Sequence, residues 1–358
     1  MLKRWFIVKI KNLEQKGREA LLDCLKGVPF LDYPRDVTRI YDKRPDLVLR
    51  LVNQVDKTPY LLVAEIKDSG QPRFIKEAVN QLKVYQNEMG GVSYGVILAP
   101  YISERSAQIC KENAVGYVDL AGNCYLSFSS VFIQRAGNPN PYSQDRELQS
   151  IFYPKSERVL RALLNAGPKE WLTEELAKDS GVSLGQVSNV RKYLDNQDWL
   201  DKESKRLLLS KPFELLSAWT KNYSFRKNDV LEYYSLLSPP ETEALLSRAS
   251  QELGLRLGLT GFSGGSRYVS TVRYQRVIAY LEDGFESLAN SADLKSVTSG
   301  ANVMLLRPYD SGVFYQSRVI GGDSVVSPIQ AYLDLNSYKG RGEEAAQAIL
   351  DQVIREIW

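Results

Sequence analysis

Two apolar runs, Leu47–Val52 and Tyr60–Ile66, are joined through the short polar segment VDKTP. Runs of this length and composition across a turn predict a β-hairpin whose strands lie inside a sheet. Three ionisable residues interrupt it: Asp46 where the first strand begins, and Glu65 and Lys67 in the second. Side chains alternate along a strand, so Glu65 and Lys67 share a face with Val63. Burying a carboxylate and an ammonium on a strand is costly unless they pair with each other or hold an ion.

The spacing Pro45-Asp46 followed by Glu65-Ile66-Lys67 resembles the signature of the PD-(D/E)xK nuclease superfamily. Downstream, VNQLKVYQ places Gln81 and Tyr85 four residues apart on one helical face, similar to the QxxxY element of RecB-like members. The resemblance implies a restriction-endonuclease-like domain with Asp46, Glu65 and Lys67 as catalytic residues and Gln81 and Tyr85 positioning them or the substrate. A first-helix glutamate often supports the metal site in that superfamily, and Glu19 or Glu14 could match it.

The chemistry can also be argued from the residues. Hydrolysing a phosphodiester requires neutralised phosphate charge, a nucleophilic water and a stabilised leaving oxygen, which hard divalent cations supply. Magnesium, with manganese as a substitute, takes oxygen ligands from one or two carboxylates. Asp46 and Glu65 are those carboxylates, and the carbonyl of Ile66 adds a third oxygen. Lys67 would orient the attacking water or stabilise charge on the phosphate. The alternative is a Glu65–Lys67 ion pair in a domain that kept the fold and lost the activity.

Composition narrows the classes. The chain has no histidine, which removes histidine-based triads, metal sites and general bases together. A carboxylate–lysine–magnesium design loses nothing by this. Cys24, Cys110 and Cys124 show no CxxC spacing, so neither a disulfide framework nor a thiolate zinc site is expected. MLKRWFIVKIKN lacks the apolar core of a signal peptide, and no run is long enough to span a bilayer; the expected location is cytoplasmic. Net charge is about +4 through residue 150, about +1 from there to residue 215 and about −2 beyond.

In chain order, residues 12–26 read as an amphipathic helix, 35–42 as a strand, 73–88 as a helix, 94–100 as a buried strand and 103–114 as a helix capped by a serine. GYVDLAGNCYLSF (116–128) reads as two strands around a Gly-Asn turn, in which Asp119 and Asn123 either lie near the site or shape the turn. The order αβββαβαβ predicts a mixed sheet flanked by helices over residues 1–135. AGNPNPYSQDREL opens a linker spanning 136–150.

From Ser156 the pattern becomes helical. Thr173–Lys178, a turn at Gly181, and a second helix from Ser183 to about Gln197 resemble the winged helix-turn-helix family, with Trp199-Leu200 leading into a wing across Lys202–Lys211. The resemblance implies a double-stranded-DNA-binding domain at 151–212. Its groove-facing candidates are Ser183, Gln186, Asn189 and Arg191, and its phosphate contacts are Lys192, Lys205 and Arg206. Paired half-sites imply a homodimer.

Residues 213–358 read as an α+β domain. TGFSGGSRY is glycine-rich but is not a Walker A loop, because no GK[ST] follows. VSPIQ (326–330), YLDL (332–335) and GRGE (340–343) resemble the AbiEi-type antitoxins of type IV toxin–antitoxin systems. That resemblance implies operator binding, repression and a genetically linked toxin. It departs from better-known members in order, because a nuclease-like domain precedes the winged helix. Two functions follow: a magnesium-dependent endodeoxyribonuclease targeted by a winged helix, in a defence context, or a non-catalytic repressor and antitoxin whose nuclease fold only binds DNA or dimerises.

Overall fold

The hairpin predicted from the two apolar runs forms the second and third strands of a seven-stranded sheet in the computed structural model. The structure describes residues 2–41, 45–89, 93–141, 151–270 and 274–358, with side chains from Asn12 onward. The chain divides into two compact units, Met1–Arg146 with Asp195–Asp198 and Glu147–Leu194 with Trp199–Trp358. Of the expected linker, residues 142–150 lie outside the described residues.

The first unit runs α1 (Leu2–Leu25), β1 (Arg35–Asp36), β2 (Leu47–Val52), β3 (Pro59–Ile66), α2 (Pro72–Met89), β4 (Ser93–Ala99), α3 (Glu104–Glu112), β5 (Gly116–Asp119), β6 (Cys124–Phe128) and β7 (Val131–Arg135). The strands pair in chain order. β3, β4 and β5 are parallel, and every other pairing is antiparallel. Each parallel step requires a crossover, which α2 and α3 provide. The two faces carry separate cores. Leu49, Leu51, Leu62, Ala64, Val96 and Leu98 pack beneath Leu21 and Leu25 of α1. Val63, Ile97 and Ala99 pack beneath Ile75, Val79 and Leu82 of α2 and Cys110 of α3.

Two expectations need correction. The strand read over 35–42 stops at Asp36, because the Asp36 carboxylate accepts from both the N–H and the hydroxyl of Thr38 and turns the chain into a 3-10 segment, Thr38–Ile40. An additional strand, β7, follows β6 after a tight turn at Ser129, whose φ is 47°.

The second unit begins with α4 (Pro154–Asn165), α5 (Thr173–Ser180), α6 (Leu184–Asn196) and α7 (Pro212–Asn222). It continues with β8 (Asp229–Tyr234), α8 (Pro239–Glu252), β9 (Leu257–Leu259), α9 (Gly261–Tyr268), β10 (Val277–Leu281), α10 (Phe285–Ser291), β11 (Lys295–Ser296), β12 (Val303–Arg307), β13 (Arg318–Ile320), β14 (Asp323–Val325), α11 (Pro328–Asn336) and α12 (Arg341–Ile349). The strands form a mixed sheet in the order β11-β8-β12-β10-β9-β14-β13. One apolar cluster runs from Leu160, Leu163 and Trp219 of the leading helices through Tyr280 and Leu306 to Ile329, Leu333 and Ile349. The helical segment and the sheet domain therefore share a core. The glycine-rich run TGFSGGSRY is the N-cap Thr260 and the whole of α9. A Cβ on Gly264 would stand 2.6 Å from the Leu259 carbonyl oxygen and one on Gly265 3.0 Å from Leu335, so these glycines let the helix lie against its neighbours. No helix among the described residues is long and apolar enough to cross a membrane.

Candidate functional site

Register brings the charged residues of the hairpin together. Leu47 pairs with Ala64, so the next pair outward sets Asp46 opposite Glu65, and strand alternation gives both the face of Val63, beneath α2. Asp46 is exposed, and its carboxylate accepts the Ile66 N–H at 2.8 Å. Glu65 is buried and accepts from the Lys67 ammonium at 2.8 Å. That ammonium also donates to Gln81 Oε1 at 2.5 Å, and the Tyr85 hydroxyl donates to Glu65. Asp46, Glu65, Lys67, Gln81 and Tyr85 thus form one connected cluster, with half-buried Ile66 supplying the backbone N–H.

Burial is the largest influence on Glu65 and raises its carboxyl above the usual range; the Lys67 ammonium opposes this, the Asp46 charge adds to it, and Tyr85 opposes it more weakly. Two carboxylates facing one another on such a site are a donor set that suits a hard divalent cation. No group of three or more His, Cys, Asp or Glu side chains with metal-holding geometry occurs among the described residues.

Glu19 stands apart from the cluster. It is exposed, takes the side-chain amide of Gln15 at 3.0 Å, and belongs to α1, which covers the opposite face of the sheet. Glu14 is likewise exposed on α1. Asp119 is buried and spends both carboxylate oxygens locally, on the N–H groups of Ile102, Ala121 and Asn123 and the Asn123 amide, at 2.8–3.1 Å. It shapes the turn.

A second constellation lies on α5 and α6. Gly181 ends α5 in the left-handed conformation (φ 63°), and the N–H groups of Gly181 and Val182 return to the last turn of that helix. The Ser183 hydroxyl then caps α6 by accepting the Gln186 N–H at 3.2 Å. Ala177, Val187 and Val190 are buried where the helices cross, with Val182 partly buried beside them. After α6, Leu200 bridges Leu209 and Trp171 bridges Leu207, both antiparallel. The chain therefore follows the order helix, bridge, helix, turn, helix, hairpin, with Lys205 and Arg206 exposed at the hairpin.

The expected DNA-contact residues separate into groups. Ser183 is spent on the cap, and Gln186 turns inward to donate to the buried Ser156 hydroxyl at 2.5 Å. With Val187, Val190 and Leu194 facing the core, a rotation of about 100° per residue puts Gly185, Ser188, Asn189 and Lys192 outward and Arg191 on one flank. Ser188 and Gly185 were absent from the sequence-derived set; helical spacing from Lys192 is the signal that finds them. Arg161 and Glu157 of α4 are fully buried, although an amphipathic reading leaves both in solvent.

Residues 206–355 match a family model described as "Transcriptional regulator, AbiEi antitoxin, Type IV TA system". No curated protein and no solved structure matches the chain.

Proposed function

We propose that this chain is a DNA-binding transcriptional regulator of the AbiEi antitoxin kind, in which α4–α6 and the following hairpin act as a winged helix on double-stranded DNA. One observation carries this reading: the helix–turn–helix and the segment that matches the family share a single apolar core. The outward face of α6 has small and polar side chains at its centre and Lys192 beside them, which suits entry into a major groove. Lys205 and Arg206 on the hairpin suit phosphate contacts. A linked toxin, and a homodimer on paired half-sites, belong to the same reading.

The test is an electrophoretic mobility shift on DNA from upstream of the protein's own gene, against a scrambled duplex, over a salt series. Salt-sensitive binding with preference for the upstream duplex supports the regulator. Absence of binding to both at low salt overturns it.

A second reading, that the chain also cleaves DNA, is favoured by the convergence of Asp46, Glu65, Lys67, Gln81 and Tyr85. The Asp46 and Glu65 carboxylates with the Ile66 carbonyl would hold magnesium or manganese. Such an ion, when bound, neutralises phosphate charge and lowers the pKa of a coordinated water. Lys67 presents a cation at the phosphate, Gln81 fixes the direction of that ammonium, and Tyr85 fixes the Glu65 carboxylate. Calorimetric titration with magnesium on wild type and Asp46→Ala, run beside a plasmid-nicking assay, tests this. Binding and nicking that both vanish in the variant support a nuclease; neither in wild type reduces the first unit to a scaffold.

A further inference from the structure

Strand register sets two arginines against each other at the edge of the first sheet. β1 pairs antiparallel with β2, and Arg35 stands directly opposite Arg50. Directly opposed residues share a face, so both guanidiniums leave the sheet on one side. Along β2, Leu47, Leu49 and Leu51 pack in the cluster beneath α1. Alternation gives Asp46, Val48 and Arg50 the other side, where Val48 opposes Val63. The arginine pair therefore shares the face of the Asp46–Glu65–Lys67 cluster.

Both arginines are exposed. Among the described residues neither side chain has an ion pair or a hydrogen bond. Asp36, the adjacent acid, points to the opposite face, with one oxygen 3.0 Å from Arg18 and the other on Thr38. Like charges directly opposite on two strands are destabilising. Protection of the sheet edge accounts for a charge on β1, but not for a second one on β2 that faces it. An anion between the two guanidiniums turns that repulsion into attraction. A phosphodiester, with one negative charge and two free oxygens, matches the donor fork of arginine.

We propose that Arg35 and Arg50 form a phosphate grip that holds a DNA backbone against the first unit, a contact distinct from the winged helix. The grip rests on the reading of this chain as DNA-binding and requires no cleavage. Arg50 is four residues from Asp46 on the same strand and face, about 14 Å at the rise of a strand. One turn of duplex, about 34 Å, spans that separation. A duplex on this face would meet the arginine pair and the carboxylate cluster together.

The test measures affinity of the full chain for a scrambled duplex over a salt series. Wild type is compared with Arg35→Gln plus Arg50→Gln, with Arg35→Lys plus Arg50→Lys, and with Lys192→Ala. Loss of two phosphate contacts should lower the slope of log affinity against log salt by about two in the glutamine variant, while the lysine variant keeps the wild-type slope. The glutamine variant should melt no lower than wild type, because it removes a repulsion. A wild-type slope in the glutamine variant overturns the grip and leaves the winged helix standing. Binding that needs the arginines but ignores Lys192→Ala supports the grip and counts against the winged helix. A glutamine variant that melts well below wild type gives the arginines a structural role and overturns the grip, and a wild type that binds no duplex at low salt overturns both.

Discussion

Arg161 and Gln330, 169 residues apart in the chain, are joined inside the second unit by two hydrogen bonds of 3.0 and 2.7 Å to one carbonyl oxygen of the glutamine. Both side chains are fully buried. Arg161 also lies 3.6 Å from the buried Glu157 and over the Trp219 ring, and Glu157 takes the hydroxyl of Tyr309. Arg158 on the same helix forks onto Asp310 at 2.7 and 2.9 Å. α4, the helix that precedes the α5–turn–α6 pair, is thus bound to the segment that matches the antitoxin family by charges withdrawn from water. A shift of that segment would be felt at α6, because α4 also supplies the Ser156 hydroxyl that anchors Gln186.

Arg161→Ala is therefore expected to destabilise the second unit by about 3–5 kcal/mol, because it leaves the buried Glu157 with the Tyr309 hydroxyl and the half-exposed Lys227 ammonium as its remaining partners. The double variant Glu157→Gln, Arg161→Met removes both charges and should cost much less. Urea unfolding of both proteins checks this, and equal losses in the two would exclude an uncompensated charge as the cause.

Asp334 sets the expected pH dependence. Burial is its largest influence and raises its carboxyl above the ordinary value of 3.8, while donors from Thr260, Tyr223, Gln330 and Tyr280 oppose the shift. A carboxyl raised on folding contributes stability that is fully present below its unfolded pKa and is lost as pH climbs through the folded one. Asp334→Asn does not titrate, and it sets an amide against donor groups. The variant should be less stable by about 1–3 kcal/mol at pH 4, with a gap to wild type that narrows as pH rises. A gap that widens between pH 4 and 8 would give the opposite sign for the shift.

Much of the candidate site's geometry is local and was therefore legible. Alternation along one strand puts Glu65 and Lys67 on the face of Val63, and four-residue spacing stacks Gln81 over Tyr85. Gly181 and Ser183 mark a turn because each solves a backbone problem of its own. What escaped depends on partners remote in sequence. The burial of Glu157 and Arg161 needs Tyr309 and Gln330, the inward turn of Gln186 needs Ser156, and the separation of Glu19 from the cluster follows from which face of the sheet α1 covers. A helical wheel carries none of this.

The split among the α6 residues gives three distinct outcomes. Asn189→Ala should relax sequence preference, costing about 1–3 kcal/mol on the preferred duplex and little on others. Lys192→Ala should weaken binding to all duplexes and reduce the slope of log affinity against log salt by about one. Gln186→Ala should lower the melting temperature while leaving preference among duplexes unchanged, since its amide is occupied by Ser156. Mobility shifts on a set of single-base operator variants, with a thermal melt of each protein, separate the three. Loss of preference in Gln186→Ala with an unchanged melt would return that residue to the groove.

Gly70 links the fold to the carboxylate cluster. It lies three residues beyond Lys67 and bridges to Ile102, and a Cβ there would stand 1.9 Å from the Tyr101 carbonyl oxygen. No rotamer relieves a clash with backbone, so Gly70→Ala must move the loop that leaves β3. The Lys67 N–H is bonded to the Leu98 carbonyl at 2.9 Å, and displacement of the loop pulls on that bond and on the direction of the ammonium. The expected cost is about 1–3 kcal/mol of stability, with magnesium affinity falling if the cluster holds the ion. Gln81→Ala should leave stability nearly unchanged, because its side chain is exposed, and should still release the Lys67 ammonium. Thermal melts and calorimetry on the two variants distinguish a loop that supports the cluster from one that merely follows it. A Gly70→Ala protein that melts with wild type would remove the steric argument altogether.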